Sequence, residues 1–259
     1  MTLQEKVRKK ISDLYHTYIP TLFLANSDIK VACPCCGWRG NRFLPNGVEV
    51  RMNSRCPKCD SLERHRMYYL YLKEKIPMHQ KIKALHFAPE RILTRLFQSY
   101  PNIEYISADI DPQKAMRKED ITATSFPDSM FDLIFCSHVL EHIEDDNKAM
   151  KELVRILKPD GFAILLVPIK DSFHGRVIEK TFEDFSVTSP EEREKVFGQR
   201  DHVRIYGRDF KERLEKAGFR VTIDKFIQSL PEELVKKYAL LPQHESASET
   251  DGWIYNCSK

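Results

Sequence analysis

The sequence predicts an α/β fold with a mainly parallel sheet, preceded by a small cysteine-rich head. Three observations carry this reading. After Pro77, apolar strand-like runs alternate with amphipathic helical stretches, the pattern that strand–helix–strand units produce. Before it, residues 31–60 are dense in Cys, Gly, Pro and Asn, as turns around short strands require. The chain has 259 residues, which suits one large domain with an appendage, or two small domains.

The elements follow in order. Thr2-Leu3-Gln4-Glu5 has the form of a capping box, and Leu3, Val7, Ile11 and Leu14 continue at helical spacing, so a first amphipathic helix is expected. Ser61 can cap a second helix carrying Met67, Tyr68, Leu70, Tyr71 and Leu72, ending before Pro77. Strands are expected at Ile82–Ala88, Glu104–Ile110, Phe131–Ser137 and Phe162–Pro168, with a short one near Asp120–Thr122. Helices at Glu90–Gln98 and Asp145–Leu157 fill the gaps, the latter stopped by Pro159-Asp160-Gly161. A long polar stretch follows residue 170. Beyond it come a helix at Arg208–Ala217, a strand at Phe219–Phe226, a helix around Glu232–Tyr238 and a strand at Trp253–Cys257. The expected division is a head over 1–78 and a main domain over 79–259, with 170–206 as an insertion.

Composition excludes several classes. Nine glycines and 14 prolines, with 42% hydrophobic and 31% charged residues, rule out collagen-like and low-complexity chains. The apolar run Phe162–Val167 is far too short to cross a bilayer. The charged N-terminus lacks the apolar core of a secretion signal, so a soluble, cytoplasmic protein with no membrane partner is expected. Net charge is +3, but residues 1–80 hold 14 Lys/Arg against 7 Asp/Glu. A basic head on a mildly acidic body points weakly to an anionic partner.

Five of the seven cysteines fall between residues 33 and 59. Cys33-Pro-Cys-Cys36 and Cys56-Pro-Lys-Cys59 form two Cys-x-x-Cys pairs on either side of the segment 37–55. Each such turn presents two thiolates to one ion, and two turns complete a tetrahedral four-sulfur site, so structural zinc on Cys33, Cys36, Cys56 and Cys59 is expected. Cys35 competes with Cys36 for one position. Downstream, Arg64-His65-Arg66 could clamp a phosphate or carboxylate or stand as solvated helix residues.

In the second part the order of motifs matters more than any one of them. Ile82–Ala88 leads through a turn into a helix, the place of the first nucleotide-binding loop in a Rossmann-like sheet. Asp109 ends the next strand, about 20 residues beyond that loop, where an acidic side chain takes ribose hydroxyls.

The phrases ADIDP (108–112), FPDSMFDLIFCSHVLEHI (126–143) and LVRILKPDGFAILLVP (153–168) resemble those of the class I S-adenosylmethionine-dependent methyltransferases, over roughly residues 82–226 and 253–257. The resemblance implies a Rossmann-like, seven-stranded, mostly parallel sheet with helices on both faces, preceded here by a helix–zinc-ribbon–helix head. It implies S-adenosylmethionine as methyl donor. Asp109 then corresponds to the ribose carboxylate, Asp120 and Ile121 to the pair beside the adenine, and Ser137 and His138 to the place where donor and acceptor meet. One departure stands out. The family's glycine-rich loop is His86-Phe87-Ala88-Pro89-Glu90 here, with no glycine. Ala88 is small enough for close approach, Pro89 removes an amide donor, and Glu90 can supply the acidic group missing at His86.

On the acceptor side, methyl transfer needs an aligned nucleophile and a base for its proton. Asp171, His174, Asp201, His202, Arg204 and Tyr206 concentrate in the insertion. His202 is the expected base with Asp201 beside it and His138 in reserve. Arg204 is the expected anion anchor, with His174 and Tyr206 lining the pocket. The expected acceptor is a small anionic molecule such as a sugar nucleotide or polysaccharide precursor. RNA gripped by the basic head, or a non-catalytic zinc-binding interaction module, are the alternatives.

Overall fold

The computed structural model describes residues 29–47, 50–77, 79–170, 172–173, 176–242 and 249–259. The helix expected over the first residues, and Asp171 and His174, lie outside them. The chain divides into two compact units, one of Met1–Ile76 with Ile227–Ala247, the other of Pro77–Phe226 with Ser248–Lys259. The expected single cut at residue 78 is thus corrected: the segment after Phe226 belongs with the head.

Within the head, β1 (Val31–Ala32) pairs antiparallel with β2 (Arg39–Gly40), and β3 (Leu44–Asn46) with β4 (Arg51–Arg55). Helix α1 (Glu63–Lys75) follows. Its N-cap is Leu62, not the expected Ser61, because the Ser61 hydroxyl turns to the sulfurs of Cys33 and Cys59 at 3.2 and 3.3 Å. Arg66 explains why the late segment joins this unit. Fully buried, its guanidinium donates to the carbonyls of Ser54 and Ser61 and to those of Tyr238 and Ala239, and it lies 4.1 Å from the centre of the Phe43 ring. A buried cation needs such full pairing, which leaves no role as a phosphate clamp.

The second unit runs through β5 (Ile82–Phe87), α2 (Arg91–Gln98), β6 (Ile103–Asp109), β7 (Arg117–Lys118), β8 (Phe131–Ser137), α3 (Asp146–Ile156) and β9 (Leu157–Leu166). Then come β10 (Ser172–Phe173), β11 (Arg176–Val177), β12 (Phe182–Glu183), α4 (Pro190–Phe197), β13 (Arg204–Ile205), α5 (Phe210–Ala217) and β14 (Arg220–Asp224). Helix α6 (Phe226–Ser229), from Ile227 on, and helix α7 (Glu232–Tyr238) lie in the segment that belongs with the head, and β15 (Ile254–Ser258) returns to the second unit. The seven-stranded sheet has the order β14-β15-β9-β8-β5-β6-β7, parallel except for β15, which is antiparallel to both neighbours. Residues alternate across it. Leu85, Ile134 and Leu165 face Leu153 of α3 and Leu214 of α5, whereas His86 and Phe135 meet Phe97 of α2 on the opposite face.

Three local expectations change. The strand near Asp120–Thr122 is a turn, because the Asp120 carboxylate accepts from both the amide and the hydroxyl of Thr122 at 2.8 Å, and the edge strand lies earlier at Arg117–Lys118. Strand β9 begins at Leu157 and carries an irregularity against β8. Gly161 sits in it 3.0 Å from the carbonyls of Phe131 and Asp132, measured from where a Cβ would stand, so only glycine fits this crossing. Helix α4 was not expected. Its signals are in the sequence: Ser189 caps it by accepting from the Glu192 amide, Pro190 opens it, and Gly198 ends it at φ 86°.

Candidate functional site

In the head, two turns of one design hold the cysteines. The Gly37 amide donates to the Cys33 carbonyl and the Asp60 amide to the Cys56 carbonyl, both at 2.9 Å, and Gly37 and Asp60 both take left-handed φ, 73° and 61°. Each turn thereby aims its two sulfurs inward. The Sγ atoms of Cys33, Cys36, Cys56 and Cys59 all lie within 4.8 Å of one another, with 3.6 Å between Cys33 and Cys59 and 3.7 Å between Cys36 and Cys56. A tetrahedral zinc with sulfur bonds of about 2.3 Å needs sulfurs about 3.8 Å apart. The donor set therefore fits the ion, and it selects Cys36 over Cys35. None of the seven cysteines is joined in a disulfide.

In the second unit the C-terminal ends of β6, β5 and β8 stand side by side. Phe87 is in register with Ala108 and with Cys136, so Ala88, Asp109 and Ser137 each follow at one level. This is the point where the order of the sheet reverses, where open α/β sheets take ligands. Ala88 has φ 46°, so it adopts the turn that glycine normally supplies. Its methyl group is the smallest that can be strained there. Glu90 reaches back to the buried His86, with 2.7 Å between Oε2 and Nε2, and His86 Nδ1 meets the Tyr105 hydroxyl at 3.2 Å. The acidic group missing at position 86 is thus returned to that spot by Glu90. Asp109 is half-buried and accepts from the Asp111 amide at 2.8 Å; Ile121 is buried and Asp120 exposed. The Ser137 hydroxyl is buried with no hydrogen-bond partner. A surface depression of about 400 Å³ lies between α2 and residues 113–116, and neither Asp109 nor Ser137 lines it.

Beyond β8 the chain takes a tight path. His138, half-buried, sits at φ 55°, and its Nδ1 lies 3.3 Å from Oε1 of Glu141. A 3-10 turn over Leu140–His142 then presents Glu141 and His142. Burial pushes the Glu141 carboxyl up, but His138, with the charge of His142 behind it, outweighs this and holds it below the ordinary carboxylate range. His202 packs edge-on against His142 with ring centres 4.8 Å apart. Burial pushes its pKa down to about 4, so the ring is neutral near pH 7.

Four expectations for this region are corrected. Arg204 is fully buried, and its guanidinium is spent on Glu183 and on the carbonyls of Leu140, Ile143 and Glu144, which leaves no fork for an acceptor anion. Tyr206 is also fully buried, its hydroxyl donating to Asp146 at 2.6 Å, so it cannot line a pocket. Asp201 pairs with His142 at 3.4 Å rather than with His202, its sequence neighbour. His202 itself, enclosed and with so low a pKa, is a poor proton acceptor at neutral pH.

Residues 84–165 match the sequence family described as a methyltransferase domain. Over this segment the second unit is similar to a methyltransferase domain. An uncharacterized protein of Methanocaldococcus jannaschii is 44% identical over 106 residues, 41% of this chain and 38% of that protein. The ubiquinone/menaquinone biosynthesis C-methyltransferase UbiE of Cronobacter sakazakii is 31% identical over 85 residues, 33% of this chain and 29% of that enzyme. The chain thus spans less than two fifths of the length of either relative. An S-adenosylmethionine dependent methyltransferase of Mesorhizobium loti matches in fold with a TM-score of 0.50 at 12% identity, over 74% of this chain and 98% of that one. Among the described residues no helix is long and apolar enough to cross a membrane.

Within the second unit, sequence reasoning named His138 but missed Glu141 as its partner. The signal was present: Glu141 lies three residues on, the spacing at which helical side chains meet. It also read Arg204 as a binding group when it is a clamp on the turn that carries Glu141 and His142. Arg204→Met is expected to cost about 3 kcal/mol or more, since it strands buried carbonyls and takes one of its two cations from Glu183. The midpoint of thermal unfolding should fall by about 6–12 °C. An unchanged midpoint with a raised acceptor Michaelis constant would return Arg204 to the acceptor site.

Proposed function

We propose that the protein transfers a methyl group from S-adenosylmethionine to a small anionic acceptor, such as a sugar nucleotide or polysaccharide precursor, and that its head is stabilised by one zinc ion. The observation that supports this reading best is the alignment of the Ala88 turn, Asp109 and Ser137 at one level of the sheet, at its switch point. The bound donor would supply an electrophilic methyl group on a sulfonium. Asp109 would accept from the ribose hydroxyls. Asp120 would take the adenine amine and Ile121 would give the ring an apolar wall and a backbone amide. Ala88 keeps the loop close, and Glu90, held by His86, would face the donor's ammonium. Ser137 is a buried donor and acceptor at the meeting point, with nothing in the protein to satisfy it.

The proton of the acceptor goes to His138. It stands at the mouth of β8, its exposure leaves room for a substrate, and the Glu141 carboxylate behind Nδ1 favours the imidazolium formed on proton uptake. A small acceptor is favoured over RNA because Cys136-Ser137-His138-Val139 stands where base-directed relatives carry an Asn-Pro-Pro-Tyr type signature. Cysteines without disulfides suit a reducing compartment, and we place the protein in the cytoplasm.

Calorimetry with S-adenosylmethionine and its demethylated product tests the donor site. Asp109→Ala should weaken both by at least about tenfold, because hydrogen bonds to a charged group are worth about 1.5–3 kcal/mol each. Equal affinity of Asp109→Ala and wild type would remove the ribose contact. A strongly salt-dependent gel shift with structured RNA, without transfer to nucleotide sugars, would favour the RNA reading.

A further inference from the structure

We propose that Glu141, His142 and His202 form a second metal site, for a divalent first-row transition ion, separate from the four cysteines. One ligand atom of each lies within 4.8 Å of the others. Two imidazoles and one carboxylate are a donor set suited to such ions, and three protein ligands leave positions open for water or a substrate oxygen.

Two further observations point the same way. Glu141 is 1% exposed, and its Oε2 has no hydrogen-bond partner. The neighbouring imidazole of His138 faces Oε1 only, at 3.3 Å, so the second oxygen is left to an ion. A buried carboxylate with one oxygen unpartnered is costly, and a cation is the compensation that the surrounding imidazoles are placed to share. His142 is also oriented as metal-bound histidines are. Its Nδ1 meets the Asp201 carbonyl at 3.2 Å and the Asp201 carboxylate at 3.4 Å, which leaves Nε2 for the metal.

The backbone holds the three ligands to one geometry. The Val203 amide donates to the Glu141 carbonyl at 3.0 Å, tying the residue after His202 to the turn that carries the other two. Arg204 grips the carbonyls of Leu140, Ile143 and Glu144 on either side of that turn. It is a positioning residue for the site. The binding of an ion does not depend on the methyl-transfer reading. Only the further step does, in which a metal-held acceptor oxygen would lie one short turn from His138.

Cobalt titration of the full chain, stripped with a chelator and desalted, tests the proposal. Wild type should bind about two equivalents, one with the intense near-ultraviolet absorption of thiolate-to-cobalt charge transfer and one with weak visible bands alone. Glu141→Gln and His142→Gln should lose the second at least tenfold and keep the first. Cys36→Ser should do the reverse. The His142 side chain is 31% exposed, so its glutamine variant is accommodated without a buried cavity, and far-ultraviolet circular dichroism confirms its fold. A wild-type chain with no cobalt outside the thiolate site, or a second equivalent that survives both substitutions, would overturn the assignment. Loss of donor binding in a chain that keeps the second equivalent would count against the proposed function and leave this site standing.

Discussion

Cys59→Ser is expected to release the metal from the head and unfold it while the sheet of the second unit survives. Structural zinc in small domains contributes about 10–16 kcal/mol of apparent binding free energy at neutral pH, and that binding is coupled to folding. The two antiparallel strand pairs of the head are two to five residues long and bury too little apolar surface to stand without the ion. Cys33→Ser should behave alike. Cys35→Ser should keep full metal, because Cys35 is outside the four-sulfur cluster. Cys136→Ser and Cys257→Ser, each deep in the sheet, should keep it too and lose about 1–3 kcal/mol of stability for a buried hydroxyl. Metal analysis and thermal unfolding read all five. Full zinc in both Cys33→Ser and Cys59→Ser would reject the site.

His138→Ala is expected to lower turnover by about a hundredfold or more, as loss of a general base does, with S-adenosylmethionine bound as tightly as in wild type. The measurement is transfer of a labelled methyl group to whichever acceptor a screen of nucleotide sugars and structured RNA reveals. Near-wild-type turnover in His138→Ala would move the base elsewhere, and His174 would be next in line. The same substitution removes the imidazole facing Glu141 but none of the three proposed ligands, so the second cobalt equivalent should persist. That contrast separates a proton-transfer role from a metal-binding one.

The turn after β5 and the acidic end of β6 were legible in the sequence because their information is local. A strand that must end in a tight turn, and an acidic residue at the end of the next strand, occupy fixed places in a repeating unit. The ends of β5, β6 and β8 fall within a residue or two of expectation. The missing glycine was visible too, and Ala88 shows how the loss is absorbed, by left-handed backbone at the smallest chiral residue. The acceptor side was legible only as a concentration of polar residues. Asp-His-x-Arg-x-Tyr was read as a site, yet three of its four named residues serve other ends: Asp201 holds His142, Arg204 holds three carbonyls, and Tyr206 holds Asp146. Polar residues next to one another in a sequence carry no information about depth, and depth decides whether a guanidinium binds ligand or backbone.

The paired Cys-x-x-Cys turns, the parallel sheet and the acidic end of its second strand were determined by the sequence alone, because spacing within a turn and periodicity along a strand fix them. Tertiary structure decided the rest. It chose Cys36 over Cys35, since only one of two adjacent residues can point into a tetrahedron. It joined the segment after Phe226 to the head, since a buried guanidinium had to find two more carbonyls there. And it brought His202 against Glu141 and His142, which lie far earlier in the chain, through one amide and one arginine whose partners no local pattern announces.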